Sequence, residues 1–300
     1  MRGQSLTAAR RSASQNTVAV IYRRALRLSQ YLLVVLLPIL FMGPFFWTVA
    51  SSLKRIPELH TYPPVVLPAI PQWSNYVQVR TDVPFGLWVL NSTIVVVLSV
   101  LGTVISASAA AFSFARFRHP GHDVLFLLML GTMMLPVEVT IIPSYLMFFA
   151  VGWLNTLLPL IVPSFFGGGA FFVFLLRQFF LSIPPELDEA AIMDGAGWPT
   201  IFWQIVMPLS RPALATVAVI AFISHWEEFM QPLIYLHSES KFTLAIGLRY
   251  FQDQAGYLGT EPRENLLMAA AVMAPLPSVL LFFMAQRYFV QGVVMTGIKG

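Results

Sequence analysis

Six apolar runs, each near or above the roughly 20 residues needed to cross a hydrocarbon core, leave this chain few folds to choose from. They cover 28–52, 86–115, 123–151, 155–177, 210–236 and 264–290. In lipid every backbone N–H and C=O must find its partner inside the protein, so runs of this length become helices. The expected fold is all-α, a polytopic membrane protein with six transmembrane helices. A chain that is 57% hydrophobic and 11% charged, with mean hydropathy +0.72, is not an ordinary soluble domain. There is no cysteine, hence no disulfide framework, thiolate metal site or cysteine nucleophile. No G-x-x-x-x-G-K-[ST] loop occurs, so the chain does not hold nucleotide by that device.

Residues 1–27 form a basic extension with Arg2, Arg10, Arg11, Arg23, Arg24 and Arg27 and no acid. The run that follows lacks a small-residue cleavage site and reads as a retained anchor. With the N-terminus inside, Arg116, Arg118, Arg177, Arg211, Arg287 and Lys299 also fall in inner segments. Lys54, Arg55, Arg80, Lys241, Arg249 and Arg263 are spread over longer outer loops. The positive-inside rule therefore puts both termini in the cytoplasm. The basic arm accounts for the net charge of +4; the expected surroundings are membrane lipid, with no nucleic acid.

Within the spans, the second carries Gly102, Ser106, Ala107, Ser108, Ala109, Ala110 and Ala111, a small-residue stripe that lets backbones approach. The third carries Pro136, Glu138 and Pro143. Counted from Asp123 on a straight helix, Glu138 lies about 22 Å along the span, where a carboxylate turns to the bundle interior or to water. The fourth has Pro159, Pro163 and Gly167-Gly168-Gly169. Two interrupted spans in succession suit a gated pathway. Candidates to line it are Asn91, which opens the second span, Glu138, and Trp226, Glu227, Glu228 and Phe229 in the fifth. Trp226 and Phe229 fit a sugar-stacking or a helix-packing role equally. Trp47, Trp73, Trp88 and Trp153 fall near span boundaries, where indoles prefer the headgroup layer. His119 and His122 read as loop residues.

Between spans four and five, at 178–209, lies a stretch of different character. In Pro184–Pro208 two prolines precede Glu186, Asp188 and Glu189, acids that suit the positive end of a helix dipole. Gly195 and Gly197 supply a stop, Pro199 reopens a helix and Pro208 ends it. Leu187, Ala190 and Ala191 give the first short helix a shallow apolar face. The reading is a water-side elbow shaped for docking.

Glu189-Ala190-Ala191, then Gly195, then Ile205-Val206-Met207-Pro208 resembles the EAA signature of ABC importer permeases, EAA-x3-G-x9-I-x-L-P. Met207 stands where the family usually has Leu, a swap that nearly conserves volume. The resemblance extends over residues 28–300 through Asn91-Ser92, Ala115-Arg116-Phe117-Arg118, Leu135-Pro136, Ile142-Pro143, Trp226 with Phe229, and Gln286-Arg287-Tyr288-Phe289-Val290. It is to the second permease subunit of carbohydrate importers, the maltose-transporter group. Glu227 occupies the position of a typical family Asn, which breaks the carry-over of bonds made by that amide.

The resemblance implies a MetI-like ABC permease fold over 28–300 and a transport subunit without catalysis, in a bacterial or archaeal plasma membrane. It implies a homologous second permease, a cytoplasmic ATPase dimer and an extracytoplasmic solute-binding protein as partners. ATP and magnesium would sit on the ATPase, and no cofactor on this chain. Coupling would fall to Glu189, Ala190, Ala191, Asp194, Gly195, Ile205 and Pro208, with Glu189 pairing at the rim of the ATPase cleft and Gly195 leaving room for its wall. The spans joined to the elbow would rotate when the ATPase closes. Substrates of the group are oligosaccharides such as maltose and trehalose, or glycerol-phosphate compounds, and Leu135–Val139 is similar to the latter branch. A membrane-embedded enzyme would need paired acids or a metal set. Here Glu138 is isolated, Glu227 and Glu228 point to different helix faces, and the five histidines lack metal spacing. An ion-coupled secondary transporter would leave the elbow unexplained.

Overall fold

The computed structural model describes residues 27, 29–257 and 263–297, and every regular element among them is a helix. The N-terminal extension, apart from Arg27, and the terminal Lys299-Gly300 lie outside the described residues. The chain divides into two units, one ending at Gln72 and one starting at Trp73. In the first, Ser29–Ser52 is a 24-residue helix, apolar all round and exposed from Tyr31 to Trp47, as a lipid-facing helix is. The proline-rich loop after it is pinned by single contacts. Lys54 Nζ donates to Val65 O (2.6 Å) and lies 4.2 Å from the Trp47 ring centroid, and Gln72 N–H donates to Leu53 O (2.9 Å).

The axis of the second unit is the second span, Phe85–Arg116, a single 32-residue helix. At 1.5 Å per residue it is about 48 Å long against a hydrocarbon core of about 30 Å, so it projects well beyond the lipid. The fourth span, Leu158–Leu181, crosses it at the small-residue stripe. That span is interrupted between Phe165 and Ala170, and a Cβ at Gly168 (φ +60) would stand 2.7 Å from Thr103 Cα. No side chain fits there, and the two backbones touch. The carbonyls released by Pro163 and the glycines are taken up by second-span hydroxyls. Ser99 Oγ donates to Leu160 O (3.1 Å) and Ser106 Oγ to Ser164 O (2.9 Å).

Two spans are bent rather than straight. In the third, His122–Met134 and Val137–Ala150 meet at 100° across Leu135-Pro136. The straight-helix depth for Glu138 therefore fails: the residue sits, exposed, in the first turn of the second limb. In the fifth, Trp198–Leu209 and Arg211–Glu227 meet at 78°. That helix stops at Glu227 instead of continuing to 236, because Glu228 turns extended and its Oε1 accepts from Gln231 N–H (3.1 Å), capping a separate helix Met230–Tyr235. The sixth span is Glu264–Gln286. Among the described residues four helices are long and apolar enough to cross a membrane, and six when each bent pair counts as one span.

Two apolar clusters hold this unit together. One, on the elbow side, joins Ala107, Phe112, Leu176, Phe180, Ile201 and Val217. The other, at the far end, surrounds Trp88, Val95, Phe148, Trp226 and Leu266. Trp88 is thus fully buried inside the protein, with its Nε1–H donated to Glu239 O (3.2 Å). The segment after the fifth span folds back over the start of the second and covers it.

Candidate coupling site

The short helix Glu186–Met193 begins just after Pro184 and Pro185, which follow the end of the fourth span. Pro185 O accepts from both Asp188 N–H (3.0 Å) and Glu189 N–H (3.1 Å), closing the first turn. The helix ends in a complete Schellman motif: Gly195 N–H donates to Ile192 O (3.0 Å) and Ala196 N–H to Ala191 O (2.9 Å). That geometry demands the left-handed conformation that Gly195 adopts, φ +85. A Cβ there would meet nothing within 4 Å, so within the chain the glycine is required for its backbone and not for space. Gly197 then runs extended and Pro199 sits in the first turn of Trp198–Leu209. Ile201–Val206 in that helix form a π-helical turn.

The seven candidate coupling residues separate by exposure. Glu189, Ala190, Asp194 and Gly195 are exposed. Ala191, half-buried, packs with Ile205 against the elbow-side cluster, and Pro208 is half-buried just before the bend. The helix thus has an open face and an anchored face.

What anchors it is a buried ion pair. Arg116, the last residue of the second span, places Nε 2.6 Å from Asp188 Oδ2, with both side chains at least nine-tenths buried. The same guanidinium donates through Nη2 to Ile183 O (3.2 Å), at the end of the fourth span. Burial pushes the Asp188 carboxyl above its ordinary range, and the neighbouring Arg116 charge opposes that shift without cancelling it. Next to Arg116 in the chain, an aromatic nest joins the second span to the elbow. Phe112 packs against Phe202 (5.2 Å between centroids) and Phe117 against Trp198 (4.9 Å), with Phe112–Trp198 at 6.2 Å closing the set. Phe114 O, in the last turn of the second span, accepts from Arg177 Nε–H (3.0 Å) and lies 3.1 Å from His122 Nε2.

Residues 102–295 match the family of binding-protein-dependent transport system inner membrane components. The chain belongs to that family. It is an ABC importer permease, and similar proteins span nearly its whole length. It is 30% identical over 278 residues to the sn-glycerol-3-phosphate transport system permease protein UgpE of Yersinia pestis bv. Antiqua, covering 91% of this chain and 97% of that one. To the diacetylchitobiose uptake system permease protein NgcG of Streptomyces coelicolor it is 31% identical over 255 residues, 85% and 83% of the two chains. Its fold matches a chain of a bacterial ABC transporter involved in the import of the acidic polysaccharide alginate, with TM-score 0.79, 25% identity, and 89% and 97% coverage. The fold is accordingly the MetI-like ABC permease fold.

The six candidate path residues of the permease do not form one cluster of available groups. Asn91 is buried and gives both amide hydrogens away, to Ser240 O and Phe242 O (3.0 Å each). Trp226 is buried, stacked on Phe222, and donates Nε1–H to Ala274 O (3.1 Å), where Pro275 interrupts the sixth span. Phe229 packs against the far cluster and Glu228 caps Met230–Tyr235. Glu138 and Glu227 are exposed. The sequence reading missed Arg116 and Asp188 as partners. Of the three acids in the elbow's first turn only Asp188 is buried, and it lies three residues before Ala191, on the same side of the helix.

Proposed function

We propose that the permease carries a carbohydrate across the membrane, driven by a separate ATPase that grips the exposed face of Glu186–Met193. The observation that carries this reading is the two-sided coupling helix: Glu189, Ala190 and Asp194 open to solvent, and Asp188 and Ala191 turned into the chain. A helix held on one face and bare on the other transmits displacement, because its own caps keep it stiff and its anchor passes the motion on. In this reading the elbow and both termini are cytoplasmic, nucleotide and magnesium are bound by the ATPase, a homologous permease completes the pathway, and a binding protein delivers substrate from outside. ATPase closure then swings the pathway between inward and outward access. Among the path candidates Glu138 and Glu227 are the exposed carboxylates, available to face a polar solute.

The sugar assignment draws on relatives such as NgcG, named for diacetylchitobiose uptake. A second reading, a glycerol-phosphate compound, draws on UgpE, which covers the most of this chain among the relatives above. Thermal stabilisation of the cognate binding protein by a panel of oligosaccharides and glycerol phosphates separates them: a shift with oligosaccharides alone supports sugar, and a shift with glycerol phosphates alone replaces it. Uptake into proteoliposomes must also stop when ATP is withheld and an ion gradient is kept. Uptake that continues on the gradient refutes ATP coupling.

A further inference from the structure

We propose that the Arg116–Asp188 pair locks the coupling helix to the second span, so that this span, and not the fifth, is the lever that the ATPase moves. The inference rests on the coupling reading above and assigns Asp188 and Arg116 as positioning residues for it. Two observations meet at one joint, and a third reinforces it farther along the second span. The ion pair is short and shielded from water, and the same guanidinium reaches the end of the fourth span at Ile183 O. The aromatic nest seats Trp198 and Phe202 of the elbow on Phe112 and Phe117. Farther up, Thr103 and Gly168 bring the second and fourth spans into backbone contact. Elbow, second span and fourth span therefore share a continuous rigid connection.

The exit into the fifth span is built differently. It passes through the π-helical turn Ile201–Val206 and a 78° bend at Ser210. Long helices break sharply at such features, and π turns recur at functional positions. An ion pair ties one side of the coupling helix, whereas the other side leaves through a helical irregularity and a bend. Val217 of the fifth span nonetheless packs in the same elbow-side cluster. Arginine suits the tied side because its planar fork serves a carboxylate and a carbonyl together, which a lysine point charge does not. The pair contributes placement more than stability, since ionising Asp188 in this buried setting is itself unfavourable.

The test uses the complete transporter, this chain with its own partner permease and ATPase, in nanodiscs. The chain has no cysteine, so with any accessible cysteines of the partner subunits replaced, spin labels go on Glu186→Cys with Leu101→Cys, and on Glu186→Cys with Ser224→Cys, all exposed positions. Distances are compared between the nucleotide-free state and the state trapped with ATP and vanadate. The lock predicts that the 186–101 distance changes by less than about 2 Å, the scale of a small helix shift, while the 186–224 distance changes more. It also predicts that Asp188→Asn makes the 186–101 distance state-dependent, and that the exchange Arg116→Asp with Asp188→Arg restores its constancy, which a loss of packing alone would not reverse. A 186–101 distance that changes as much as 186–224 in the unaltered pair overturns the proposal. So does an Asp188→Asn variant with unchanged distances. An Ala190→Cys cross-link to the ATPase, run alongside, separates the two ideas: if it is absent the coupling reading fails, and if it forms while the distances disagree only the lock fails.

Discussion

Gly195 offers a clean separation between two reasons for a glycine at the end of the proposed coupling helix. The sequence pattern suggests room for the wall of a docking cleft, whereas the structure shows a Schellman turn that requires φ +85. Alanine at this position meets no atom within 4 Å, so its whole penalty is the left-handed backbone, about 1–2 kcal/mol for a residue with a Cβ. That corresponds to roughly a 5- to 30-fold loss in the population of the correctly capped elbow. Asparagine is bulkier than alanine but tolerates the left-handed region. If conformation decides, affinity of the ATPase for the permease in nanodiscs falls about 5- to 30-fold for Gly195→Ala and less than about 3-fold for Gly195→Asn. If room in the cleft decides, the order reverses. Weaker binding by the Asn variant than by the Ala variant would refute the backbone argument.

Three further outcomes follow from the packing. Arg116→Met leaves Asp188 buried without its cation and should destabilise the permease by about 3 kcal/mol, while Arg116→Met with Asp188→Leu recovers most of that loss; thermal unfolding in detergent reads both. Because burial raises the Asp188 carboxyl, its contribution to stability is greatest at low pH and is lost as pH rises through the raised value. The stability of the wild type relative to Asp188→Asn should therefore improve on acidification toward the ordinary carboxylate range, and a difference that moves the other way contradicts the assignment. Trp226→Phe keeps the stack on Phe222 but orphans Ala274 O at the break in the sixth span, which should cost about 1–3 kcal/mol in the same unfolding measurement.

Much of this architecture is written locally. Runs of apolar residues are long enough to mark the spans, and the prolines and glycines at 136, 163 and 167–169 mark where helices break, because a missing N–H or a positive φ acts on its own neighbourhood. The elbow is legible for the same reason: its caps are specified within a few residues. What a proline does not specify is the angle of the break, and so the 100° turn at Pro136 and the changed setting of Glu138 were beyond local reading. The Arg116–Asp188 pair joins segments far apart in the chain, and a first-turn acid is by default a solvated partner of the helix dipole. Asp188 departs from that default only because the second span is long enough to reach it. Trp88 and Trp226 look like interfacial or ligand-stacking indoles until the segments that cover them are in place.

The most direct test of the account is a cross-link from the coupling helix in intact membranes. With Ala190→Cys as the sole cysteine in this chain, a short bifunctional reagent should join the permease to a nucleotide-hydrolysing subunit, with a yield that changes when ATP and vanadate are added. Products confined to lipid, or labelling of Ala190→Cys only from the outer face of the membrane, would contradict it.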